Sequence, residues 1–88
     1  MNKFSVPEKY REDFERALNT AVELGSFTDK ALAEKMNVST LNAAIFIGFM
    51  DKYGFIYPAL KNEVKTVRIS VEEWDALGRN IDAYTPPP

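Results

Sequence analysis

The side chains that most often carry catalysis are missing from this sequence. It contains no histidine and no cysteine, so thiolate metal sites, disulfides and nucleophiles activated by an imidazole are excluded. Thirteen Asp and Glu residues remain, but their spacing matches no known reaction chemistry. Scattered carboxylates are usually solvated surface groups. We therefore expect neither an enzyme nor a cofactor or metal site.

Groups suited to contacting nucleic acid lie in the middle of the chain. Residues 26–69 hold six Lys/Arg against four Asp/Glu, whereas both ends are acidic and the net charge is −2. Lysine and arginine contact phosphates, and the amide of Asn42 can pair with adenine. The candidate DNA-binding residues are Lys35, Ser39, Thr40, Asn42, Lys61, Lys65 and Arg68.

Helical periodicity and capping motifs define the elements that would position these groups. Ser5-Val6-Pro7-Glu8 has the spacing of a capping box, and apolar residues then recur every three or four positions. This pattern predicts a first helix over about 7–24. Thr28 and Ser39 are good N-caps for helices over 29–36 and 40–53, and Asn37 suits the tight turn between them.

After Gly54 the periodicity changes to that of strands. Phe55-Ile56-Tyr57 and the alternating segment 65–69 predict a two-stranded hairpin, with Lys61-Asn62-Glu63 at its tip. Ser70-Val71-Glu72-Glu73 is a second capping box and predicts a final helix over about 71–82. The proline-rich residues 84–88 are expected to form an extended tail.

Three helices followed by a hairpin are the plan of a winged helix-turn-helix. The 88 residues suffice for one domain, with a core over about 5–70 and an added C-terminal helix. We therefore predict an α+β fold of this class, in which the third helix enters the major groove and the wing contacts the DNA backbone. No secretory signal or membrane span is visible, so we expect a cytoplasmic protein.

The stretch "LAEKMNVSTLNAAIFIGFMDKYGFIYP", followed by "VKTVRIS", resembles the gamma domain of the FtsK DNA translocase. The likeness covers about residues 14–70. It implies a winged helix that reads short oriented DNA sequences. Where that family carries an Asn-Arg pair and a further arginine, this chain has Leu41-Asn42 and Ile45, so only Asn42 could serve in base recognition.

Two functions are compatible with these features. The first is a small DNA-binding protein that regulates transcription or maintains a plasmid or phage genome, contacting double-stranded DNA. The alternative is a protein-interaction module on the same scaffold, such as a phage-type modulator or inhibitor of a host enzyme or polymerase. The acidic pI of about 5.1 and a third helix without arginine favour this alternative.

The third helix is apolar around most of its circumference, which indicates either a well-buried central helix or an exposed apolar patch for a partner. Trp74 lies on an amphipathic face of the final helix, which either packs on the first helix or forms a homodimer. The candidate partner or dimer interface residues are Ile45, Phe49, Trp74, Leu77 and Ile81.

Overall fold

Apolar residues at helical spacing bury one side of the first helix, α1 (Glu8–Leu24), in the core of the computed structural model. The structure describes residues 6–60 and 63–86. Pro7 takes the N-cap position without a side-chain cap. The capping box expected at Ser5 lies outside the described residues. The buried residues of α1 are Phe14, Ala17, Leu18, Ala21 and Val22.

The next two helices confirm the expected caps and turn. The Thr28 hydroxyl accepts a hydrogen bond from the Ala31 amide at the start of α2 (Asp29–Met36). Asn37 adopts the left-handed conformation, with φ 57° and ψ 48°. The Ser39 hydroxyl then accepts from the Asn42 amide and caps α3 (Thr40–Lys52), which ends one residue earlier than expected.

The sheet pairs differently from the expected hairpin. Strand β1 (Ser26–Phe27), between the first two helices, pairs antiparallel with β2 (Lys65–Thr66). The segment expected to be the other arm of the hairpin contributes only an antiparallel bridge between Ile56 and Val67. Strand β2 and the adjoining Val67 therefore lie between residues 26–27 and 56–57. We call residues 55–60 and 63–69 the wing, and this pairing ties the wing to the body of the domain.

The C-terminal segment folds back instead of continuing as a helix. Helix α4 (Val71–Ala76) begins with the expected Ser70 capping box, but the chain turns at Gly78 and Arg79, where φ is 66° and 53°. A short 3₁₀ helix, Ile81–Ala83, follows. The helix expected over 71–82 therefore begins as predicted but ends at Ala76, because this turn brings Ile81 and Tyr84 into the core, where each is at most 3% exposed.

This packing also corrects part of the expected dimer interface. Trp74 and Ile81 are each only 1% exposed within the single chain, and the Trp74 indole N–H donates to Asn19 Oδ1 of α1 at 2.8 Å. Neither side chain is available to a second copy without unfolding this region. Leu77 is half-buried against the same core.

In the described ranges, the four α-helices and the two-stranded antiparallel sheet form a small α+β fold. Its element order is compatible with a winged-helix layout, with α2 and α3 joined by a three-residue turn and the wing following α3. None of the helices described is long and apolar enough to cross a membrane.

Candidate functional site

Helix α3 has one buried side and one presented side. Its buried residues are Ala43, Phe46, Ile47 and Met50. On the opposite side Leu41, Ala44 and Gly48 are exposed, with Leu41 retaining 73% of its accessible surface. Because 41 and 48 are two turns apart, these residues line one face of the helix. Asp51, also exposed, lies at the C-terminal end of this face.

The wing continues this apolar surface beside α3. Large apolar side chains exposed in the described part of the chain are Leu41 on α3 and Tyr57, Leu60 and Val64 on the wing. Leu60 is 75% exposed and directly follows Ala59, which lies opposite α3. We call the combined surface the α3–wing face, and it consists of Leu41, Ala44, Gly48, Asp51, Ala59 and Leu60.

A groove of about 190 Å³ separates the two halves of this face. Its α3 wall is formed by Ala44, Gly48 and Asp51, with Ile47 below them, and Ile56 and Ala59 stand on the wing side. Apart from Asp51 and the ion pair described next, the lining residues are apolar. The groove is therefore a shallow, mostly apolar depression between a helix and a loop.

The side chain of Lys65 points into the protein interior. The expected role of Lys65 as a phosphate contact is therefore wrong. Its side chain is 5% exposed, and its ammonium lies 2.9 Å from Asp29 Oδ1. The same ammonium donates to the carbonyl oxygens of Glu63 at 2.9 Å and Leu60 at 3.3 Å. Lys65 thus attaches the wing loop to the first residue of α2, and its charge is already neutralised by Asp29.

Arg68, a further cation of the wing, faces a cavity other than the α3–wing groove. Arg68 is half-buried, with its guanidinium 5.3 Å from the centre of the Tyr57 ring. It lines a separate cavity of about 400 Å³ together with residues of α4 and the C-terminal segment. Lys61 lies outside the described residues.

The candidates around the turn are accessible. Lys35, Ser39, Thr40 and Asn42 are all exposed, although the Ser39 hydroxyl is engaged in capping α3.

Two residues expected to contact a partner protein, Ile45 and Phe49, are half-buried. Phe49 packs against the rings of Tyr10, Phe14 and Tyr53, so it contributes mainly to the packing of α3 on α1.

Asp51 is the charged residue among those that define the α3–wing face, and exposed Lys52 follows it at the end of α3. Asp51 makes no ion pair with any residue in the described ranges, and Asp29 at the groove is paired with Lys65. The nearest free cation on α3 is Lys52, whose ammonium lies 5.5 Å from the centre of the Tyr53 ring. Among the residues that the structure describes, no three carboxylates are grouped so that they could hold a metal ion.

The sequence interpretation missed Ala59, Leu60 and Asp51 as members of a site. It also missed the inward orientation of Lys65, although the strand alternation contained a signal for it. Residues 65, 67 and 69 share one face of a strand, and Val67 and Ile69 were already expected on the same side.

Comparisons with protein-family models, curated proteins and solved structures found no match to this chain.

Proposed function

We propose that this chain is a protein-interaction module on a winged-helix scaffold, and that it docks on its partner through the α3–wing face. The observation that carries this proposal is the apolar character of the presented side of α3 and of the adjoining wing. In a DNA-reading winged helix this is the surface that approaches the duplex. Here it offers Leu41, Ala44, Gly48 and Leu60.

The charges near this face argue against a strong grip on phosphates. DNA affinity depends largely on cations that neutralise phosphates. Lys65 is paired internally with Asp29, and Arg68 faces a different cavity. Asp51 would place a carboxylate beside the DNA backbone, where like charges repel.

Exposed apolar side chains next in sequence to residues that line the groove, or one helical turn away from them, favour a protein partner. Leu41 and Leu60 keep 73% and 75% of their accessible surface, and burying such side chains is the main source of affinity in protein association. A phage-type modulator that docks on a host enzyme or polymerase is the class of protein that fits a small, acidic domain with this surface.

Affinity capture tests the proposal. The full chain, carrying a terminal tag, is used to recover proteins from an extract of its host, and the recovery is compared with that of a Leu41→Glu/Leu60→Glu variant. Ala76→Glu, an exposed alanine on α4, is the matched control. We expect specific partners to be retained by the control and depleted at least tenfold by the double variant, with unchanged circular dichroism for all three proteins. Equal recovery by the double variant and the control would reject the proposal.

Double-stranded DNA binding is the second candidate function, and a specific observation favours it. Lys35, Thr40 and Asn42 are exposed together around the turn that joins α2 to α3, where a helix-turn-helix contacts DNA. Such a protein would regulate transcription or maintain a plasmid or phage genome. Two lysines of α2, Lys30 and Lys35, would give a slope of about −1.8 in log K against log salt.

Fluorescence anisotropy with a labelled duplex distinguishes this second function. If it holds, binding at micromolar protein and low salt should be lost in Lys30→Glu/Lys35→Glu and retained in Leu41→Glu/Leu60→Glu. No change in anisotropy at 50 mM salt would remove DNA binding from consideration.

A further inference from the structure

We infer that the occupant of the α3–wing groove is a basic amphipathic α-helix of a partner protein. This inference rests on the proposed function and specifies its partner. The helix places one apolar side chain in the groove and a lysine or arginine against Asp51.

The size of the groove selects a side chain over a small molecule. Sites for small molecules and cofactors enclose about 300–1,000 Å³ and bury most of the ligand, whereas this groove measures about 190 Å³. Its floor is apolar, since Ile47 and Ile56 are 7% and 3% exposed. A single aliphatic side chain from a neighbouring protein suits this volume and lining.

The surface of α3 beside the groove has the shape that an approaching helix needs. Ala44 and Gly48 are one turn apart and give a low surface between Leu41 and Asp51. Glycine is a poorer helix former than alanine, yet a Cβ at Gly48 would have no heavy atom within 4 Å. Packing within the described chain therefore gives no reason for a glycine there, whereas the close approach of another helix does.

A strand is a less suitable occupant. Adding a strand to a sheet depends on a row of free main-chain groups along an edge, and β1 and β2 are only two residues long.

Charge complementarity indicates the sign of the charge on the partner helix. The Asp51 carboxylate is exposed and makes no ion pair with any residue among 6–60 and 63–86. The other carboxylate at the groove, Asp29, is already neutralised by Lys65 at 2.9 Å. Of these two carboxylates, Asp51 is therefore the one with which a cationic side chain of a partner could pair.

Peptide display on the full-length protein tests the inference. A random library of 16-residue peptides is selected on the wild-type chain, and enriched peptides are synthesised with a fluorophore and titrated by anisotropy. We expect them to carry apolar residues at helical spacing and a lysine or arginine, and to lose binding on insertion of a central proline. Gly48→Leu should weaken peptide binding and raise Kd at least tenfold. Asp51→Lys should do the same, and replacing the peptide's cation by glutamate should restore binding to that variant.

The controls separate this inference from the proposed function. Ala76→Glu should leave Kd unchanged, and Gly48→Leu should remain folded by circular dichroism because its side chain extends into open space. Peptides that depend on Leu41 and Leu60 but bind Gly48→Leu and Asp51→Lys normally would overturn the helical partner and leave the proposed function standing. Acidic or strand-forming peptides, or no enrichment at all, would also overturn it, while affinity capture from the host extract would still decide the proposed function.

Discussion

The ammonium of Lys65 lies 2.9 Å from Oδ1 of Asp29, and this buried contact joins the wing to the start of α2. Asp29 is the first residue of α2, so the helix dipole also stabilises its carboxylate. The lysine donates further to two carbonyl groups of the wing loop. This ion pair and these two hydrogen bonds therefore help the strand pairing to hold the wing beside the α3–wing groove.

Lys65→Met should destabilise the fold, because it leaves the Asp29 carboxylate without its counter-ion and two wing carbonyls without their donor. Breaking a buried ion pair typically costs 3–5 kcal/mol. Asp29 is 26% exposed and can recover some hydration, so we expect a loss of about 2 kcal/mol. Urea denaturation measures this change. Lys30→Met, at an exposed position of the same helix, should change stability by less than about 0.5 kcal/mol, and equal effects of the two substitutions would contradict the structural role of Lys65.

Gly48→Ala should stabilise the isolated protein. Alanine is favoured over glycine in a helix interior by about 1 kcal/mol, and the added methyl group meets no neighbouring atom. The free energy of unfolding should therefore rise by about 0.5–1 kcal/mol. Ala44→Gly on the same exposed face provides the reciprocal control and should lower it by a similar amount. A loss of stability in Gly48→Ala would show that the glycine is needed within the chain itself.

Trp74→Ala should lower the free energy of unfolding by about 3–5 kcal/mol, the usual effect of removing a large buried aromatic side chain. Trp74 contacts the ring of Phe55 with a centroid separation of 6.2 Å and donates to Asn19. Trp74→Phe keeps an aromatic ring at this position but loses the indole hydrogen bond and some packing. We therefore expect a smaller loss in the free energy of unfolding, about 1–2 kcal/mol.

Urea denaturation combined with sedimentation velocity separates this core role from a dimer interface. If Trp74 served only to hold two copies together, Trp74→Ala would dissociate a dimer while leaving the monomer as stable as before. That outcome would contradict the burial of Trp74 within a single chain.

Tyr84 should make the protein sensitive to alkaline pH. Its ring stacks on Phe55 at a centroid distance of 4.1 Å, and its hydroxyl donates to the Gly54 carbonyl. Burial raises the pKa of Tyr84 above its ordinary value of 10.0. Above pH 10 the unfolded chain therefore loses this proton while the folded chain keeps it.

The stability that Tyr84 contributes is present below pH 10 and declines as the pH rises through its pKa in the folded state. Urea denaturation between pH 8 and 11 should show a steeper decline for the wild type than for Tyr84→Phe, which has no phenolic proton at this position. Lysines titrate in both proteins, so the difference between the two curves is the relevant measurement. Parallel curves would show that ionisation of Tyr84 is not linked to folding.

Local sequence signals determined most of the helical framework. Thr28, Ser39 and Ser70 each cap a helix as expected, and Asn37 takes the left-handed turn. Such features depend on hydrogen bonds between residues three or four positions apart, so the sequence is enough to predict them. The apolar spacing of α1 likewise predicted its buried side.

Tertiary packing decided the features that distinguish the candidate site. The capping box of α4 predicts where that helix begins, but the burial of Ile81 and Tyr84 ends it after six residues. Lys65 pairs with Asp29, 36 positions earlier in the chain, and β2 pairs with the distant β1 as well as with the neighbouring segment 55–57. These contacts join residues distant in sequence, and their free energy comes from burial and charge pairing that no local pattern encodes. Sequence alone therefore predicted an apolar third helix and left open whether it is buried or exposed, whereas tertiary packing decided which of its apolar residues remain accessible.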